Sequence, residues 1–297
     1  MIIERKKIKQ NLSDRLFMVF VYGFLIFFST LVILPMFQVI TISLSPAEIV
    51  NKFGFHLIPT KITLEGYHMI FLDDTIWTAY KNTIIRVVLG VSLTVCLTFL
   101  AAYPISKRGL PHRKLITLFM FLTMFFSGGL VPAYVLINKL GLRNSVLALI
   151  LPGAISTFMV LVTRNFIGTL PESLEEAAKM EGANELQILV KIIIPLSLPI
   201  LATVALFSAV SHWNAWFDCM LYVPDPKRHV IQLLLQRLLK EGSDVNQEVL
   251  FMPITSYISP ESRKMATVVV TFLPIIIIYP FLQKYFVKGV LIGSVKG

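Results

Sequence analysis

Residues 172–199 of the chain read ESLEEAAKMEGANELQILVKIIIPLSLP, a charged half followed by an almost purely apolar half. The charged half carries five glutamates, which are Glu172, Glu175, Glu176, Glu181 and Glu185. Thr169, three residues before Glu172, completes a capping-box pattern, and acidic residues suit the positive end of a helix dipole. Gly182 is typical of a helix exit. The stretch therefore predicts a short acidic helix, a turn and a second helix that runs into an apolar segment.

The chain as a whole has the composition of an integral membrane protein. Its 297 residues are 56% apolar and only 15% charged, whereas a soluble domain has about 25% charged residues. So little polar surface cannot coat a soluble globule of this size. The net charge of +10 indicates basic residues that flank membrane spans. It does not indicate a nucleic-acid interface, because the sequence has no basic soluble domain with interleaved aromatics.

Six apolar runs reach the length of a membrane span, which needs about 20 residues. We predict spans at 16–41, 82–103, 115–136, 145–166, 192–212 and 265–283. The predicted fold is an all-α integral membrane protein with six transmembrane helices. Prolines recur in these runs, and they either kink the helices or open a central cavity. Lys81, Arg86 and His212 lie near predicted span ends, where a long side chain can reach the interface.

Lysine and arginine predict that both chain ends lie on the cytoplasmic side of the membrane. The tail at 1–15 carries five of these residues and the short connection 104–114 carries four, and short loops weigh most in the positive-inside rule. The acidic stretch then faces the cytoplasm as well. The long connection 213–264 faces outside, and ordered loops of such length often carry binding residues.

Small residues interrupt the glutamates of the acidic helix. Ala178 and Gly182 are four apart, with Ala177 beside them, and residues four apart share a helix face. A partner backbone or a bulky partner side chain can approach such a patch closely, and glutamates surround it. A solvated loop needs neither the patch nor a fixed turn, so we predict a helix that docks on another protein.

The spacing in EAAKMEGANELQILVKIIIP (176–195) resembles the EAA motif of binding-protein-dependent ABC importer permeases, E-A-A-x3-G-x9-I-x-L-P. The sequence departs from it at Ile194, where leucine is usual, and at Glu181, where aspartate is common. The resemblance implies the type I ABC importer permease fold and a location in a bacterial plasma membrane. It also implies a coupling helix at 171–190, between spans four and five, that docks on a cytoplasmic ATPase. The coupling residues it implies are Glu172, Glu175, Glu176, Ala177, Ala178, Glu181, Gly182 and Pro195.

The C-terminal end, QKYFVKGVLIGSVKG (283–297), is similar to the tail of the maltose-type second permease subunit of this family. That tail inserts between the two ATPases, and the glycines here allow an extended chain. The matching positions are Lys288, Gly289, Gly293, Lys296 and Gly297. The alternative is a frayed basic terminus. The implied organisation is a cytoplasmic tail at 1–15, a six-span permease domain at 16–288 and a C-terminal tail at 289–297.

Two stretches, 125–145 and 212–225, resemble the subgroup of this family that imports complex carbohydrates, which implies an oligosaccharide substrate. Aromatic faces stack on pyranose rings, while amides and carboxylates bind hydroxyls. The predicted sugar contacts are Trp213, Asn214, Trp216 and Asp218. Tryptophan is also common at membrane interfaces, and contact with the binding protein is equally compatible with this cluster. Ser127 and Gly128 either line the pathway or pack against a neighbouring helix.

The sequence offers no means of driving transport or catalysis. It lacks the G-x4-G-K-[ST] phosphate loop, and its two cysteines and five histidines show no metal-site spacing. We expect no catalytic residue, metal or cofactor on this chain, with ATP and Mg²⁺ bound by two separate ATPase subunits. The other expected partners are a second, non-identical permease, an extracytoplasmic binding protein and membrane lipid. The alternatives are an ABC permease for a monosaccharide or glycerol phosphate and a stand-alone secondary transporter.

Overall fold

The computed structural model describes residues 12–50, 58–240 and 259–294, with side chains as far as residue 280. The described residues form helices and no strands, which confirms the predicted all-α class. The chain divides into two compact units. The first comprises Met1–Ile70 with Glu248–Val269, and the second comprises Phe71–Gln247 with Val270–Gly297.

Fifteen α-helices follow one another along the described chain. They are α1 (Leu12–Ser43), α2 (Ala47–Val50), α3 (Glu65–Leu72), α4 (Asp74–Ser106), α5 (Arg113–Leu122), α6 (Leu130–Lys139), α7 (Val146–Ile150), α8 (Thr157–Ile167), α9 (Ser173–Met180), α10 (Glu185–Ile188), α11 (Ile194–Leu196), α12 (Leu198–Asn214), α13 (Phe217–Tyr222), α14 (Ile231–Lys240) and α15 (Pro260–Ser294). A π-helical turn at Leu189–Ile193 joins α10 to α11.

Three of the described helices are long and apolar enough to cross a membrane: α1, α4 and the Pro260–Pro280 part of α15. They coincide with the predicted first, second and sixth spans. Two bent pairs meet the same criterion together. The pair α7–α8 bends by 54°, and the segment Glu185–Leu196 meets α12 at 74°. These pairs coincide with the predicted fourth and fifth spans, so the described chain holds three to five candidate spans.

The predicted third span, 115–136, is not a single helix. The helix α5 ends at Leu122 and α6 begins at Leu130. The break contains Gly129, whose φ of 85° lies in the left-handed region that favours glycine. Glycine is also a poor helix former. Two short helices therefore stand where one span was predicted, and the total of six spans stays a prediction.

The helix α4 forms the centre of the second unit and packs along α8 and α12. At one end, here called the α9 end, α4 and α8 bury an apolar core together with α9 and α10. This core contains Phe99, Ala102, Tyr103, Ile105, Val160, Ile167, Ala178, Ile188, Leu189 and Ile193. At the opposite end, here called the α14 end, a second core joins α6, α7, α13 and α14. It contains Ile137, Ala148, Leu149, Cys219, Tyr222, Val223, Val230 and Leu233.

Gly90 lets α4 and α12 approach closely. A Cβ atom at this position would lie 2.7 Å from Cδ2 of His212, closer than real Cβ contacts. The His212 imidazole is buried over this glycine. The close approach therefore depends on the absence of a side chain at residue 90.

Alanine at position 90 should destabilise the protein, although alanine is the better helix former. Gly→Ala in a helix gains about 1 kcal/mol, whereas overpacking costs about 1–3 kcal/mol. The matched control is Gly23→Ala in α1, where a Cβ meets nothing within 4 Å. Thermal unfolding of the purified protein should show a lower melting temperature for G90A and no loss for G23A. Equal melting temperatures would contradict the packing constraint.

Candidate coupling and translocation site

The acidic helix forms as α9, but its predicted capping box is absent. The N-cap residue is Glu172, without a side-chain capping bond. The Thr169 hydroxyl instead donates to the Phe166 carbonyl at 2.7 Å. It therefore caps a free carbonyl at the end of α8 and not an N–H group at the start of α9. The predicted helix exit is present, because Gly182 has a φ of 83° and the Ala183 N–H bonds the Ala178 carbonyl at 2.9 Å.

Three of the five glutamates bind groups within the chain. Glu175 forms an ion pair with Lys107, whose ammonium lies 4.3 Å from the centroid of the Tyr103 ring. Glu185 accepts a hydrogen bond from the Tyr103 hydroxyl at 3.1 Å. It also pairs with Lys179 at 2.6 Å, and this hydrogen bond raises the pKa of Lys179. These contacts hold α9 and α10 against the end of α4.

The third glutamate with a partner inside the chain is Glu172, which pairs with Arg108 at 3.0 Å. Both side chains are largely exposed, 83% for Arg108 and 65% for Glu172. Exposed pairs contribute about 0–1 kcal/mol, so this contact adds little to the attachment of α9. The attachment of α9 to α4 depends instead on the partly buried contacts of Lys107 and Tyr103.

The small residues of α9 do not form one outward patch. Ala178 is only 8% exposed and belongs to the apolar core at the α9 end. Met180, by contrast, is 89% exposed. The exposed residues of the helix include Glu176, Ala177 and Met180, and together with the exposed C-cap residue Glu181 these are here called the docking surface. The Met180 side chain lies at its centre, where the sequence predicted a patch of small residues.

The helical segment Glu185–Leu196 follows α9, and the chain bends after it, between Pro195 and Pro199. Pro195 lies in the first turn of α11, and the bend of 74° separates α11 from α12. Pro195 therefore lies two residues before the break at Ser197, near the end of the segment Glu185–Leu196.

The predicted tail residues lie partly beyond the described structure. The backbone is helical at Lys288, Gly289 and Gly293, which all belong to α15, so the extended conformation predicted here is not present as far as Ser294. Lys296 and Gly297 lie outside the described residues.

At the α14 end, two of the four predicted sugar contacts are engaged internally. The Trp213 indole N–H donates to the Thr271 carbonyl at 3.2 Å, and the residue is only 8% exposed. Asp218 forms an ion pair with Arg86. Asn214 and Trp216 keep part of their surface exposed. The α12–α13 corner at 214–218 therefore has an inner, structural side and an outer side.

Arg86 was misjudged from sequence, where it was expected to reach a membrane interface. It is 2% exposed and donates to the Ala215 carbonyl at 3.0 Å and to the Leu149 carbonyl at 3.4 Å, in addition to Asp218. One guanidinium thus joins α4, α7 and the α12–α13 corner. Buried charges require partners, and the partners of Arg86 lie on other elements, so the sequence around it carried no signal of its burial.

Two residues of α14 that the sequence did not single out approach the outer side of this corner. The Gln232 amide N lies 3.5 Å from Oδ1 of Asn214, and the Lys240 ammonium lies 5.0 Å from the centroid of the Trp216 ring. Ser127 and Gly128 lie elsewhere, in the exposed break between α5 and α6. The Ser127 hydroxyl accepts from the Gly129 N–H at 3.1 Å, which is a local contact within that break.

Residues 75–292 match the family described as "Binding-protein-dependent transport system inner membrane component", and the chain belongs to this family. It is a multi-pass membrane permease, a transporter subunit rather than an enzyme. The chain is 40% identical to the polygalacturonan/rhamnogalacturonan transport system permease protein YtcP of Bacillus subtilis, over 96% of this chain and 100% of the relative. It is 37% identical to protein LplC of the same organism, over 89% and 90%.

The fold has a counterpart among solved structures. A chain in the crystal structure of a bacterial ABC transporter involved in the import of the acidic polysaccharide alginate aligns with a TM-score of 0.88 and 31% identity. The alignment covers 94% of this chain and 100% of that chain. The predicted permease fold is therefore confirmed.

Proposed function

We propose that this chain is a transmembrane subunit of an ATP-driven ABC importer that translocates an oligosaccharide delivered by an extracytoplasmic binding protein. The observation that carries the proposal is α9, an acidic helix held against α4 by the chain's own ion pairs while an apolar side chain points outward. Such a helix in a binding-protein-dependent permease suits docking on an energy-supplying subunit. The saccharides handled by the aligned relatives support an oligosaccharide as the substrate.

The proposed assembly contains a second, non-identical permease and two cytoplasmic ATPase subunits that bind ATP and Mg²⁺. This chain has no phosphate-binding loop of its own, so the energy comes from those partners. Both termini and α9 lie on the cytoplasmic side, which the basic residues of 1–15 and 104–114 favour. The α14 end then faces the binding protein. A stand-alone secondary transporter does not fit this family.

The docking surface suggests what the ATPase presents to it. Met180 offers an apolar anchor for a pocket, and Glu176 and Glu181 on either side favour basic residues at the rim of that pocket. In the proposed cycle, ATP closes the ATPase pair and displaces α9. The displacement reaches α4 through Lys107 and Glu175, and it reaches α12 through the bent segment after α10. The two permeases then switch between inward-facing and outward-facing states.

Aspartate at position 180 should release the ATPase, because it places a charge where an apolar pocket is expected. Hot-spot residues of an interface contribute about 2 kcal/mol or more, which corresponds to a loss of affinity of about thirtyfold or more. The measurement is the amount of ATPase that co-purifies with the affinity-tagged chain from its host membranes. The control, Met220→Asp, makes the same change at the α14 end, where Met220 is also exposed, and should retain the ATPase.

Two results would contradict the proposal. Full retention of the ATPase by M180D would remove α9 from the interface. Purification of the unmodified chain without any ATPase, together with saccharide uptake by that chain alone in proteoliposomes, would contradict the importer itself. Uptake of only a monosaccharide or glycerol phosphate by the intact complex would leave the permease assignment standing and correct the substrate.

A further inference from the structure

The helices α5 and α8 approach each other through side chains at both of their ends. The hydroxyls of Thr123, just after the end of α5, and Thr157, at the start of α8, lie 3.1 Å apart. Away from this contact, α5 leads back to Arg113 and α8 leads forward to Arg164. These two guanidinium groups lie close enough for their charges to act on each other. The two helices therefore run in opposite directions, and the second contact joins two like charges.

The repulsion between these two arginines has no counterweight in the described part of the chain. Among the residues that the structure describes, neither Arg113 nor Arg164 belongs to an ion pair. The Nε atom of Arg113 is buried without a hydrogen-bond partner there. Both side chains are only partly exposed, so water and salt screen their repulsion incompletely. Charges in such a position require a partner of opposite sign.

Exposed apolar side chains follow Arg113 along α5. Leu115 is 51% exposed and Phe119 is 62% exposed, and residues four apart share a helix face. The predicted third span begins at residue 115, and Arg164 lies near the end of the predicted fourth span, 145–166. The arginine pair therefore lies where the hydrocarbon of a membrane meets its headgroups. A phospholipid has the same division, with a phosphate above apolar chains.

The start of α5 supplies further hydrogen-bond donors on the side of the arginine pair. The N-cap residue His112 has no side-chain capping bond, and the first N–H groups of a helix have no acceptor within the helix. The positive end of the helix dipole also favours an anion at this position. Guanidinium groups bind phosphate oxygens through two parallel hydrogen bonds. The two arginines supply the charge of the site, and the helix start adds donors to it.

We propose that Arg113 and Arg164 bind the phosphate of an anionic phospholipid in the cytoplasmic leaflet, with its acyl chains along the exposed face of α5. Basic sites between membrane helices on the cytoplasmic side bind lipid headgroups. The phosphate offsets the repulsion between the guanidinium groups and ties the start of α5 to the end of α8. A carboxylate of an ATPase is the other available anion, but it leaves Leu115 and Phe119 uncovered. The assignment to the cytoplasmic leaflet rests on the orientation in the proposed function.

The test is the thermal stability of the purified transporter complex in neutral detergent during titration with dioleoyl phosphatidylglycerol. This anionic lipid should raise the melting temperature of the unmodified complex more than dioleoyl phosphatidylcholine, which has the same chains and no net charge. R113Q and R164Q should each weaken the apparent affinity for phosphatidylglycerol about tenfold, because a charge-assisted hydrogen bond is lost. The matched control is R108Q, at an exposed arginine in the connection before α5, which should leave this affinity nearly unchanged.

The same variants should reverse their order with and without the lipid. In detergent without anionic lipid, R113Q and R164Q should melt at or above the temperature of the unmodified complex, because each removes a repulsion between like charges. At saturating phosphatidylglycerol the unmodified complex should melt at the highest temperature. This reversal distinguishes a lipid site from a folding defect, which lowers the melting temperature under both conditions.

Four results would overturn the lipid site. An unmodified response of the double variant R113Q/R164Q to phosphatidylglycerol would exclude the arginine pair, and an equal response of the unmodified complex to phosphatidylcholine would exclude recognition of the charge. Equal stabilisation by inorganic phosphate would leave a site for a free anion. Loss of the ATPase from R113Q with an unchanged lipid response would assign the pair to the ATPase. Saccharide uptake is measured separately, so its failure beside an intact lipid response overturns the importer proposal and not this site.

Discussion

Replacing Arg86 with methionine should sharply reduce the amount of folded transporter. The substitution leaves Asp218, which is only partly exposed, without its ion pair, and it removes the donor to the Ala215 and Leu149 carbonyls. Breaking a buried ion pair from one side costs about 3–5 kcal/mol, a large part of the stability of a typical protein. The measurement is the melting temperature of the affinity-purified complex in detergent, together with its yield from the membrane.

Two variants make this result specific. Lys81→Met removes a positive charge from the exposed side of the same helix and should leave both the yield and the melting temperature unchanged. The double variant R86M/D218N should be less damaged than R86M alone, because no uncompensated carboxylate remains. A melting temperature of R86M equal to that of K81M would show that the guanidinium does not hold the three elements together.

Reversing the charge of Lys107 should separate ATP hydrolysis from transport. In K107E, residue 107 repels Glu175 instead of binding it, so α9 loses its main ionic attachment to α4. A partly buried charge-assisted contact is worth about 1.5–3 kcal/mol, which predicts a loss of roughly tenfold or more in sugar-stimulated transport. ATP hydrolysis without sugar should persist, so the ratio of saccharide imported to ATP hydrolysed falls.

The exchanged pair K107E/E175K should recover most of the lost coupling, because it restores an ion pair of opposite polarity. The control is R108E, whose partner Glu172 is exposed and whose ion pair contributes little. R108E should keep a nearly unmodified ratio. Failure of the exchanged pair to recover transport, with ATPase assembly intact, would argue against a mechanical role for this ion pair.

The sequence predicted what depends on local chemistry. The acidic composition of 172–185 and the glycine at 182 are sufficient for a short helix with a left-handed exit, and both are present. The apolar runs predicted α1, α4 and much of α15, because the length of an apolar run is also a local property of the sequence. Family resemblance added the fold, which rests on the spacing of only a few residues in 176–195.

What the sequence could not predict depends on contacts between distant residues. The partner of Arg86 lies 132 positions away in the chain, so nothing near it in sequence distinguishes a buried ion pair from a snorkelling arginine. The rotation of α9 that buries Ala178 depends on core residues of α4 and α8 and on the pairing of Glu175 with Lys107, which are all distant in sequence. The contacts of Gln232 and Lys240 were missed because their partners, Asn214 and Trp216, belong to other elements.

The course of α4 has a consequence for the timing of transport. Between Arg86 and Tyr103 this helix has no proline, and the interval spans about 25 Å at 1.5 Å per residue. Arg86 holds the α12–α13 corner, while Tyr103 binds Glu185 beside the proposed ATPase contact. A single helix therefore links the α14 end and the α9 end of the second unit. On the proposed function, movement at the ATPase contact and movement of the α12–α13 corner then occur together, because no loop lies between them.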